Sequence, residues 1–437
     1  MENFVLNETI EIHKIAVVGL GYVGLPLALT FVEKGFSVTG IDIDEGKIKK
    51  IRNGESYLND LGDEAIRKAT LSKRFSASTD FSLLDSVDAI IICVPTPITA
   101  YHHPDLSFLQ EASFQVSKYL RKGQLIILES STYPGTTSEV LVPTLEKSGL
   151  KVGTDIFVGY SPERIDPGNT KYAVEDIPKV VSGTTERCLD RVCRLYRKVF
   201  SKLVKVSSTE TAELTKLVEN CHRLINISFI NELAIICDSL NMDIWEVIEA
   251  ASTKPFGFTP YYPGPGIGGH CIPVDPLYLQ WKAKLYGKES QFINLAMSVN
   301  KSVPKYVVSK IEEFLTRDGS MQEANILIYG ITYKREINDV RESTVFQIIR
   351  SLKEKGAHVQ YHDPYVPNVT ADGEKMDSVA LTEEALRKTD CVLIFTDHSC
   401  IPLQQILDNA PLVFDTRNVT NGMKGNAKVI VLGGGTV

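Results

Sequence analysis

The sequence predicts an α/β protein in which two doubly wound domains are joined by a central domain built on a long helix. Three observations support this prediction. The 437-residue chain is too long for one ordinary core. Short β-branched runs alternate with helical patterns in both halves. Between them, residues 211–241 form one long amphipathic pattern, with Ser208 or Thr209 as its N-cap.

The first half opens with a strand, a glycine turn, a helix and a second strand. Lys14–Val18 precedes the turn Gly-Leu-Gly-Tyr-Val-Gly of residues 19–24, a helix is expected over 26–34, and Ser37–Ile41 ends at Asp42. Further strands are predicted at 89–94, 125–129 and 156–160. Residues 1–205 are therefore predicted to form a Rossmann-like, nucleotide-binding domain.

The middle of the chain, residues 206–310, is predicted to be helical, with a Pro- and Gly-rich loop at 255–269. Its long helix has a large apolar face, which a homodimer or higher homo-oligomer would cover. Residues 311–437 return to strand and helix alternation. Strands are predicted at 325–329, 358–362, 391–395 and 412–415, with a helix at 344–355. This second Rossmann-like domain lacks the Gly-x-Gly-x-x-Gly turn.

Composition excludes several classes of protein. Hydrophobic residues make up 43% and charged residues 23%, as in soluble globular proteins. The net charge of −7 argues against nucleic acid or an anionic membrane as a partner. The eight cysteines have neither disulfide nor zinc spacing, which favours a reducing cytoplasm and no metal. The first 13 residues do not resemble a signal peptide, and no apolar run is long enough to cross a bilayer.

The glycine turn predicts a dinucleotide site. Gly19 permits the tight bend, Gly21 lets a pyrophosphate approach the backbone, and Gly24 allows close packing of helix and strand. The phosphates would lie at a helix N-terminus. Asp42 is placed to bind the ribose hydroxyls and to repel a 2′-phosphate, which favours NAD over NADP, whereas Asp44 is expected to be a solvated loop acid.

Two later strand ends are expected at the nicotinamide side of this site. They are the segments 94–97 and 129–132, although ordinary strand-ending turns would also explain them. The other candidate is Cys271, which follows three glycines within residues 266–270 and precedes Asp275 by four positions. Such a loop can hold a nucleophilic cysteine against a substrate. A buried structural cysteine is the alternative interpretation.

Together these segments resemble the UDP-glucose/GDP-mannose dehydrogenase family over essentially the whole chain. The matching motifs are GLGYVGLP, VPTP, ESSTYPGTT, SPERIDPG, ELTKLVEN, GPGIGGHCIPVDP and GITYKREINDVREST, which begin at residues 19, 94, 129, 161, 213, 264 and 330. The resemblance implies an N-terminal NAD-binding domain, a central dimerisation domain and a C-terminal UDP-binding domain. It also implies a cytoplasmic enzyme of polysaccharide biosynthesis.

The family oxidises the C6 alcohol of a nucleotide sugar to a carboxylate with two NAD per turnover. The resemblance implies that Cys271 forms a thiohemiacetal and then a thioester. Lys216 would stabilise an oxyanion, and Asn220, on the same helix face, would orient substrate or water. The other catalytic residues implied are Asp275 and Thr132, near a water, and Glu163, a base in thioester hydrolysis.

The resemblance also assigns binding residues. The cofactor residues it implies are Gly19, Gly21, Tyr22, Val23, Gly24, Asp42, Lys47, Thr96, Ser131, Thr132 and Arg341. The substrate residues it implies are Glu163, Arg164, Lys216, Asn220, Tyr261, Gly266, Gly268, Tyr333, Lys334 and Arg417.

The chain departs from the UDP-glucose enzymes at the loop before Cys271. Residues 253–263 contain no arginine, His270 precedes the cysteine, and Arg164 follows Glu163. These features resemble the branch that acts on UDP-N-acetylhexosamines, most closely the UDP-N-acetylglucosamine 6-dehydrogenases. UDP-ManNAc and UDP-glucose are the alternative substrates. A two-electron β-hydroxyacid dehydrogenase and a non-catalytic NAD-binding scaffold are alternatives of a different class. The intact Lys216, Asn220, Cys271 and Asp275 argue against a scaffold.

Overall fold

The structure, a computed structural model, describes residues 11–58, 61–99, 101, 103–164, 174–269, 271–315 and 321–435. His270 and residues 165–168, the second half of the SPERIDPG motif, therefore lie outside the described residues. Contacts divide the chain into two compact units. The first comprises Met1–Glu219 and Leu277–Lys288, and the second comprises Asn220–Pro276 and Glu289–Val437. The predicted domain boundaries at 205 and 310 remain predictions.

The first unit is built on an eight-stranded sheet with helices packed against it. Its strands are β1 Lys14–Val18, β2 Ser37–Ile41, β3 Phe75–Ser78, β4 Ala89–Ile92, β5 Leu125–Leu128, β6 Phe157–Tyr160, β7 Lys179–Gly183 and β8 Leu203–Lys205. Its helices are α1 Gly24–Glu33, α2 Glu45–Arg52, α3 Asp63–Leu71, α4 Ser107–Lys118, α5 Val142–Leu145 and α6 Glu186–Tyr196.

The strand order of this sheet is β3-β2-β1-β4-β5-β6-β7-β8, and the pairs are parallel except β6 with β7. Strand β1 lies between β2 and β4, so the chain crosses to opposite sides of β1. In doubly wound sheets this switch point opens a crevice at the carboxyl ends of the strands, where nucleotides bind. Strands β4 and β5 are buried at every residue, as expected for a parallel sheet covered on both faces.

The long helix predicted in the middle of the chain is α7, Thr209–Leu240, which has 32 residues. The Ser208 hydroxyl accepts a hydrogen bond from the Thr211 amide at 3.1 Å, which identifies Ser208 as its N-cap. The shorter helices that follow are α8 Ile244–Ser252 and α9 Asp275–Leu285, and α10 is Gln291–Leu315. Among the described residues, no helix combines the length and hydropathy needed to span a membrane.

The second unit contains a five-stranded parallel sheet of order β10-β9-β13-β14-β15 and a separate antiparallel pair, β11 with β12. The strands are β9 Asn325–Tyr329, β10 His358–His362, β11 Asn368–Ala371, β12 Glu374–Asp377, β13 Cys391–Ile394, β14 Leu412–Asp415 and β15 Lys428–Val431. The helices are α11 Val345–Glu354, α12 Glu383–Arg387 and α13 Leu403–Asn409. The fold class predicted from the sequence is confirmed.

Candidate active site

The glycine turn joins β1 to α1 in the first unit. Gly19 has φ of 91°, a left-handed conformation that favours glycine. A Cβ at Gly24 would lie 1.8 Å from the Gly19 carbonyl oxygen, so α1 can begin at Gly24, two residues earlier than predicted. A Cβ at Gly21 would meet no described atom within 4 Å. The turn therefore has open space where a pyrophosphate would approach, and Tyr22 and Val23 lie within it.

Asp42 lies at the end of β2, next to this turn. Its carboxylate accepts hydrogen bonds from the Leu20 amide at 2.8 Å, the Asp44 amide at 3.0 Å and the Lys47 ammonium at 3.2 Å. A carboxylate offers about four acceptor sites, so one remains for a ribose hydroxyl. Asp44 instead caps α2, because its carboxylate accepts from the Gly46 and Lys47 amides. The residues present therefore fit NAD.

Cofactor preference can be tested at these two aspartates. We expect the wild-type kcat/KM for NAD to exceed that for NADP by roughly tenfold or more, because Asp42 is predicted to bind the ribose hydroxyls and to repel a 2′-phosphate. Asp42→Ala should reduce this ratio, mainly through the KM for NAD. Asp44→Ala is the matched control and should leave the ratio unchanged. Equal kcat/KM values in the wild-type enzyme would contradict the assignment of Asp42.

Two further strand ends meet at the same edge of the sheet. The Thr96 hydroxyl donates to the Ser131 carbonyl at 2.5 Å, and the Ser130 hydroxyl donates to the Val94 carbonyl at 2.6 Å. The loops after β4 and β5 are therefore tied together. Thr132 is buried and hydrogen-bonded to Thr136. The first unit thus places Thr96, Ser131 and Thr132 together at this edge, and their contacts with the cofactor remain predictions.

Glu213 on α7 holds the turn that follows Thr132, and the sequence did not single it out. Its carboxylate accepts from the Gly135 amide at 2.6 Å, and from the amide and hydroxyl of Thr137 at 2.8 and 2.6 Å. Burial raises the pKa of Glu213 to about 7, against these hydrogen bonds, which lower it. Because Lys216 follows one helical turn later, Glu213 links the helix of Lys216 to the turn of Thr132.

Lys216 itself is only 7% exposed. Within the described part of the chain its ammonium has neither an ion-pair nor a hydrogen-bond partner. A mostly buried lysine without such a partner can interact with an anionic ligand. A positive charge of this kind suits an anionic group that forms during a reaction.

Glu163 belongs to a second cluster of buried charged residues, which also includes Lys179 and Glu129. Lys179 on β7 lies 2.7 Å from Glu129 and 3.6 Å from Glu163, and Glu129 also accepts from the Tyr196 hydroxyl. Burial opposes the charge on Lys179, but the two carboxylates outweigh it and raise its pKa. Lys179 therefore stays charged beside Glu163, a contact that the sequence did not predict.

Arg164 has other partners in the structure. Its guanidinium donates to the Pro178 carbonyl at 2.7 Å and pairs with Glu219 on α7 at 2.7 Å. These contacts explain how the residue is held in the first unit. The substrate contact implied by the resemblance remains a prediction.

In the second unit, the glycine loop before Cys271 packs against the segment after β9. A Cβ at Gly268 would lie 2.8 Å from the Tyr333 Cβ, and one at Gly269 would lie 2.7 Å from the Tyr333 ring. A Cβ at Gly266 would lie 3.0 Å from the Thr344 side chain. Only glycine allows this approach, which brings the loop of Cys271 to Tyr333.

The structure also distinguishes Cys271 from the other cysteines. All eight cysteines are described and none forms a disulfide. Burial raises the pKa of five of them, Cys93, Cys193, Cys221, Cys237 and Cys391, and it raises the pKa of Cys221 and of Cys391 to about 12. Because the thiolate is the nucleophile, these cysteines are poor candidates. Cys271 is half-buried on the turn before α9.

Three polar side chains form a row in the second unit. The Asn220 side-chain amide donates to Asp275, and its carbonyl oxygen accepts from Arg223. Because arginine only donates and a carboxylate only accepts, the orientation of the Asn220 amide is fixed. Arg223 was missed from the sequence, although its i, i+3 spacing from Asn220 on a helix could have indicated it.

The predicted substrate residues Arg417 and Lys334 and the predicted cofactor residue Arg341 also lie in the second unit, and each contacts other protein groups there. Arg417 is half-buried, and its guanidinium donates a hydrogen bond to the Phe395 carbonyl at 2.9 Å. The guanidinium packs closely on Gly264, because a Cβ at Gly264 would lie 2.6 Å from it. Arg341 pairs with Asp339 at 2.6 Å, and its predicted contact with the cofactor remains a prediction. The Lys334 carbonyl accepts from Thr332 at 2.8 Å.

Tyr261 belongs to the aromatic loop before the cysteine. Its hydroxyl lies 3.0 Å from His222 Nδ1, and it packs with Phe258 beside the core of α7 and α8. The Tyr262 ring stacks on Trp245 with the centroids 5.9 Å apart. Phe256, by contrast, is exposed.

The fold and the glycine turn define the protein as an NAD-dependent dehydrogenase of the doubly wound class. Within that class, the chain belongs to the UDP-glucose/GDP-mannose dehydrogenase family. The NAD binding domain of the family matches residues 13–200, the central domain matches 210–302, and the UDP binding domain matches 327–422.

Individual relatives agree with this assignment. Protein CapL of Staphylococcus aureus is 39% identical over 418 residues, which cover 94% of this chain and 96% of that protein. UDP-N-acetyl-D-glucosamine 6-dehydrogenase of Pseudomonas aeruginosa is 41% identical over 356 residues, or 81% of this chain and 83% of that protein. The structure of UDP-D-ManNAc dehydrogenase from Pyrococcus horikoshii has a TM-score of 0.88 and 30% identity, and the match covers 97% of this chain and 100% of that chain. The protein is an NAD-dependent nucleotide-sugar 6-dehydrogenase.

Proposed function

We propose that the enzyme oxidises the C6 alcohol of a UDP-N-acetylhexosamine, with UDP-GlcNAc as the substrate, to the uronic acid. The observation that carries the proposal is the close packing of Gly268 and Gly269 on Tyr333 within one compact unit. In the proposed assignment Tyr333 contacts the sugar, so the loop that packs on it brings Cys271 to the same ligand.

The proposed reaction removes four electrons in two steps. NAD, when bound, accepts one hydride in each oxidation. The alcohol loses a hydride and a proton to give the aldehyde, and the Cys271 thiolate adds to the aldehyde carbon to form a thiohemiacetal. Loss of the second hydride and the hydroxyl proton gives a thioester. Water then replaces the sulfur, which releases the carboxylate and restores Cys271.

The other residues act on charge and water in this scheme. Lys216 stabilises the oxyanion of each tetrahedral species, because its buried charge is not neutralised by a described side chain. Glu163 acts as the base for thioester hydrolysis, with Lys179 beside it. Asn220 and Asp275 orient the water or the substrate, and Arg223 fixes the amide of Asn220.

The choice of an acetamido sugar rests on the proposal that the aromatic loop, residues 255–269, helps to shape the sugar pocket; packing of the helical core alone is the alternative role of these aromatic residues. The loop contains Phe258 and Tyr261, which pack beside α7 and α8, and Tyr262, which stacks on Trp245. An acetamido methyl would pack on apolar surface, and its amide would need polar partners. The Pseudomonas relative is named for UDP-N-acetyl-D-glucosamine, which agrees with the proposal. The Pyrococcus structure is named for the mannosamine epimer, the main alternative.

A substrate panel tests this choice. UDP-GlcNAc, UDP-ManNAc, UDP-GalNAc and UDP-glucose are compared under identical conditions by NADH absorbance. We expect UDP-GlcNAc to be best, and UDP-glucose to lose mainly in kcat/KM, since polar groups that recognise the acetamido would lie unpaired. A clear preference for UDP-glucose would contradict the argument from the aromatic loop.

The same assay counts the electrons. A four-electron oxidation gives two NADH for each sugar consumed, a two-electron β-hydroxyacid dehydrogenase gives one, and a scaffold gives none. A ratio of one with the preferred sugar would rule out the proposed thioester route, whatever the sugar.

A further inference from the structure

The segment after β9, residues 330–336, carries Tyr333 and Lys334. Beside it lies His398, which is fully buried at 0% exposure. His398 and Asp363 resemble the base and orienting acid of a catalytic pair, but neither was singled out in the sequence. Their hydrogen bonds indicate a different role.

Each nitrogen of the His398 ring lies next to a group that is known to donate or to accept a hydrogen bond. The Glu336 amide donates to Nδ1 at 3.1 Å, so Nδ1 carries no proton. The other nitrogen, Nε2, lies 3.3 Å from an Asp363 carboxylate oxygen and 3.4 Å from the Thr332 hydroxyl. Nε2 therefore carries the proton. With one tautomer fixed and both nitrogens engaged in a buried site, the ring is not placed to exchange protons with a substrate.

Glu336, whose amide binds His398, also binds neighbouring residues through its side chain. Its carboxylate accepts from the Ser399 amide at 2.6 Å, the Ser399 hydroxyl at 3.1 Å and the Tyr365 hydroxyl at 3.1 Å. Glu336 has φ of 64°, a left-handed conformation that is unfavourable for a residue with a side chain. The hydrogen bonds to His398 and Ser399 hold it there. We call His398, Asp363, Glu336 and Ser399 the clamp.

The start of the segment is fixed by the same neighbours. The Ile331 amide donates to Asp363 at 2.8 Å, and the Thr396 hydroxyl donates to the Thr332 carbonyl at 2.6 Å. Tyr333 and Lys334 thus lie between two fixed points of the backbone, Thr332 and Glu336. The conformation that presents these two side chains depends on hydrogen bonds made by the backbone on either side of them, at Ile331, Thr332 and Glu336.

We propose that His398 is a positioning residue for nucleotide binding, which acts through the clamp to hold Tyr333 and Lys334 ready for the diphosphate sugar. This inference rests on the proposed function, since it takes these two residues as substrate contacts. The decisive atom is Nδ1, which accepts from the backbone of the segment.

Two variants test the role of the Nδ1 acceptor separately from that of Nε2. In His398→Asn the side-chain oxygen lies where Nδ1 was and can still accept from Glu336. In His398→Gln the amide nitrogen lies where Nε2 was, so the contact to Asp363 is kept and the acceptor is lost. Both variants lose the packing contacts of the imidazole ring, so each serves as a control for the effect of that loss in the other. Binding of UDP by titration calorimetry, without NAD or turnover, is the main measurement, and the thermal midpoint is the control.

We expect His398→Gln to bind UDP roughly tenfold more weakly than His398→Asn, with similar thermal midpoints. In turnover, His398→Gln should raise the KM for the sugar nucleotide far more than it lowers kcat. Equal UDP affinities in the two variants would overturn the inference and leave the proposed function standing. Wild-type protein that does not bind UDP would overturn the proposed function, and this inference with it.

A third variant does not disturb the buried ring. Glu336→Ala removes the carboxylate that Ser399 and Tyr365 bind, at a half-buried position where the fold should survive. Weaker UDP binding by roughly fivefold, with a nearly unchanged thermal midpoint, would support the clamp. Unchanged UDP affinity in this variant would overturn it, even if neither His398 variant folds.

Discussion

Cys271→Ser should reduce turnover to near zero while UDP binding and the thermal midpoint stay close to the wild-type values. Serine has nearly the same shape, but its hydroxyl ionises far less readily than a thiol and adds poorly to an aldehyde. We expect kcat to fall by roughly 10³-fold or more. NADH absorbance measures the loss, and mass spectrometry of the quenched enzyme and product tests for a trapped aldehyde or covalent intermediate.

Cys400→Ser is the matched control, because Cys400 is exposed and lies outside the proposed chemistry. It should keep wild-type activity. If Cys271→Ser also kept wild-type activity, covalent catalysis by this residue would be excluded, and the thioester route with it. Cys221 could not easily take over, since burial and the Asp275 carboxylate raise its pKa to about 12.

The second large effect is expected at Lys216. Lys216→Ala should lower kcat by roughly 10²–10³-fold, the usual consequence of losing one preorganised donor to an oxyanion. The physical reason is its burial at 7% exposure, since a buried charge acts on a forming anion with little screening by water. Steady-state kinetics with saturating NAD would separate kcat from KM.

The KM is as informative as the loss of rate. If Lys216→Ala changed only KM, the lysine would bind ground state and transition state equally, and its role as an oxyanion donor would be wrong. Lys301→Ala removes an exposed lysine from α10 and should change neither constant. Together the two variants distinguish a local electrostatic effect from a change in net charge.

The fold was predictable mainly where short apolar or β-branched runs alternate with helical patterns. Strands β1, β2, β9, β10 and β14 have the predicted bounds, and β4 and β5 end one or two residues earlier than predicted. Strands β1, β4, β5, β9 and β14 are buried at nearly every residue, so their composition identifies them. Strand β10 lies at the edge of its sheet and is largely accessible, and it was predicted from its place in the alternation of strands and helices. The helix predicted from residue 26 begins at Gly24, because the absence of a Cβ lets its first turn lie against Gly19.

Most of the strands that were not predicted are polar or lie at the sheet edges, whereas β7 is a buried strand inside its sheet. The strands that were not predicted are β3, β7, β8, β11, β12 and β15. For example, β7 begins with Lys179, and a lysine does not indicate a buried strand unless its partner Glu129 is known. The carboxylate is 50 residues away in sequence, so no local pattern contains that information.

The residues of the candidate site also fall into two groups, those that a local sequence motif identifies and those that only their contacts identify. The glycine turn, Asp42 and the cysteine loop were identified because each is a short motif with its own chemistry. Arg223, Lys179 and His398 were not, because their importance comes from the groups they contact. The catalytic and binding roles assigned by resemblance, the homo-oligomer and the cytoplasmic location remain predictions.

The burial of the cysteines has a consequence for oxidative damage. Six of the eight are buried, whereas Cys271 is half-buried and Cys400 is exposed. Peroxide reacts with accessible thiolates, so it would reach these two before the core. If Cys271 is the nucleophile, as we propose, the enzyme would then lose activity before it unfolds. Early damage to Cys271 at the sulfenic acid level is reversible by cellular thiols, and the same protein molecules would regain activity without new synthesis.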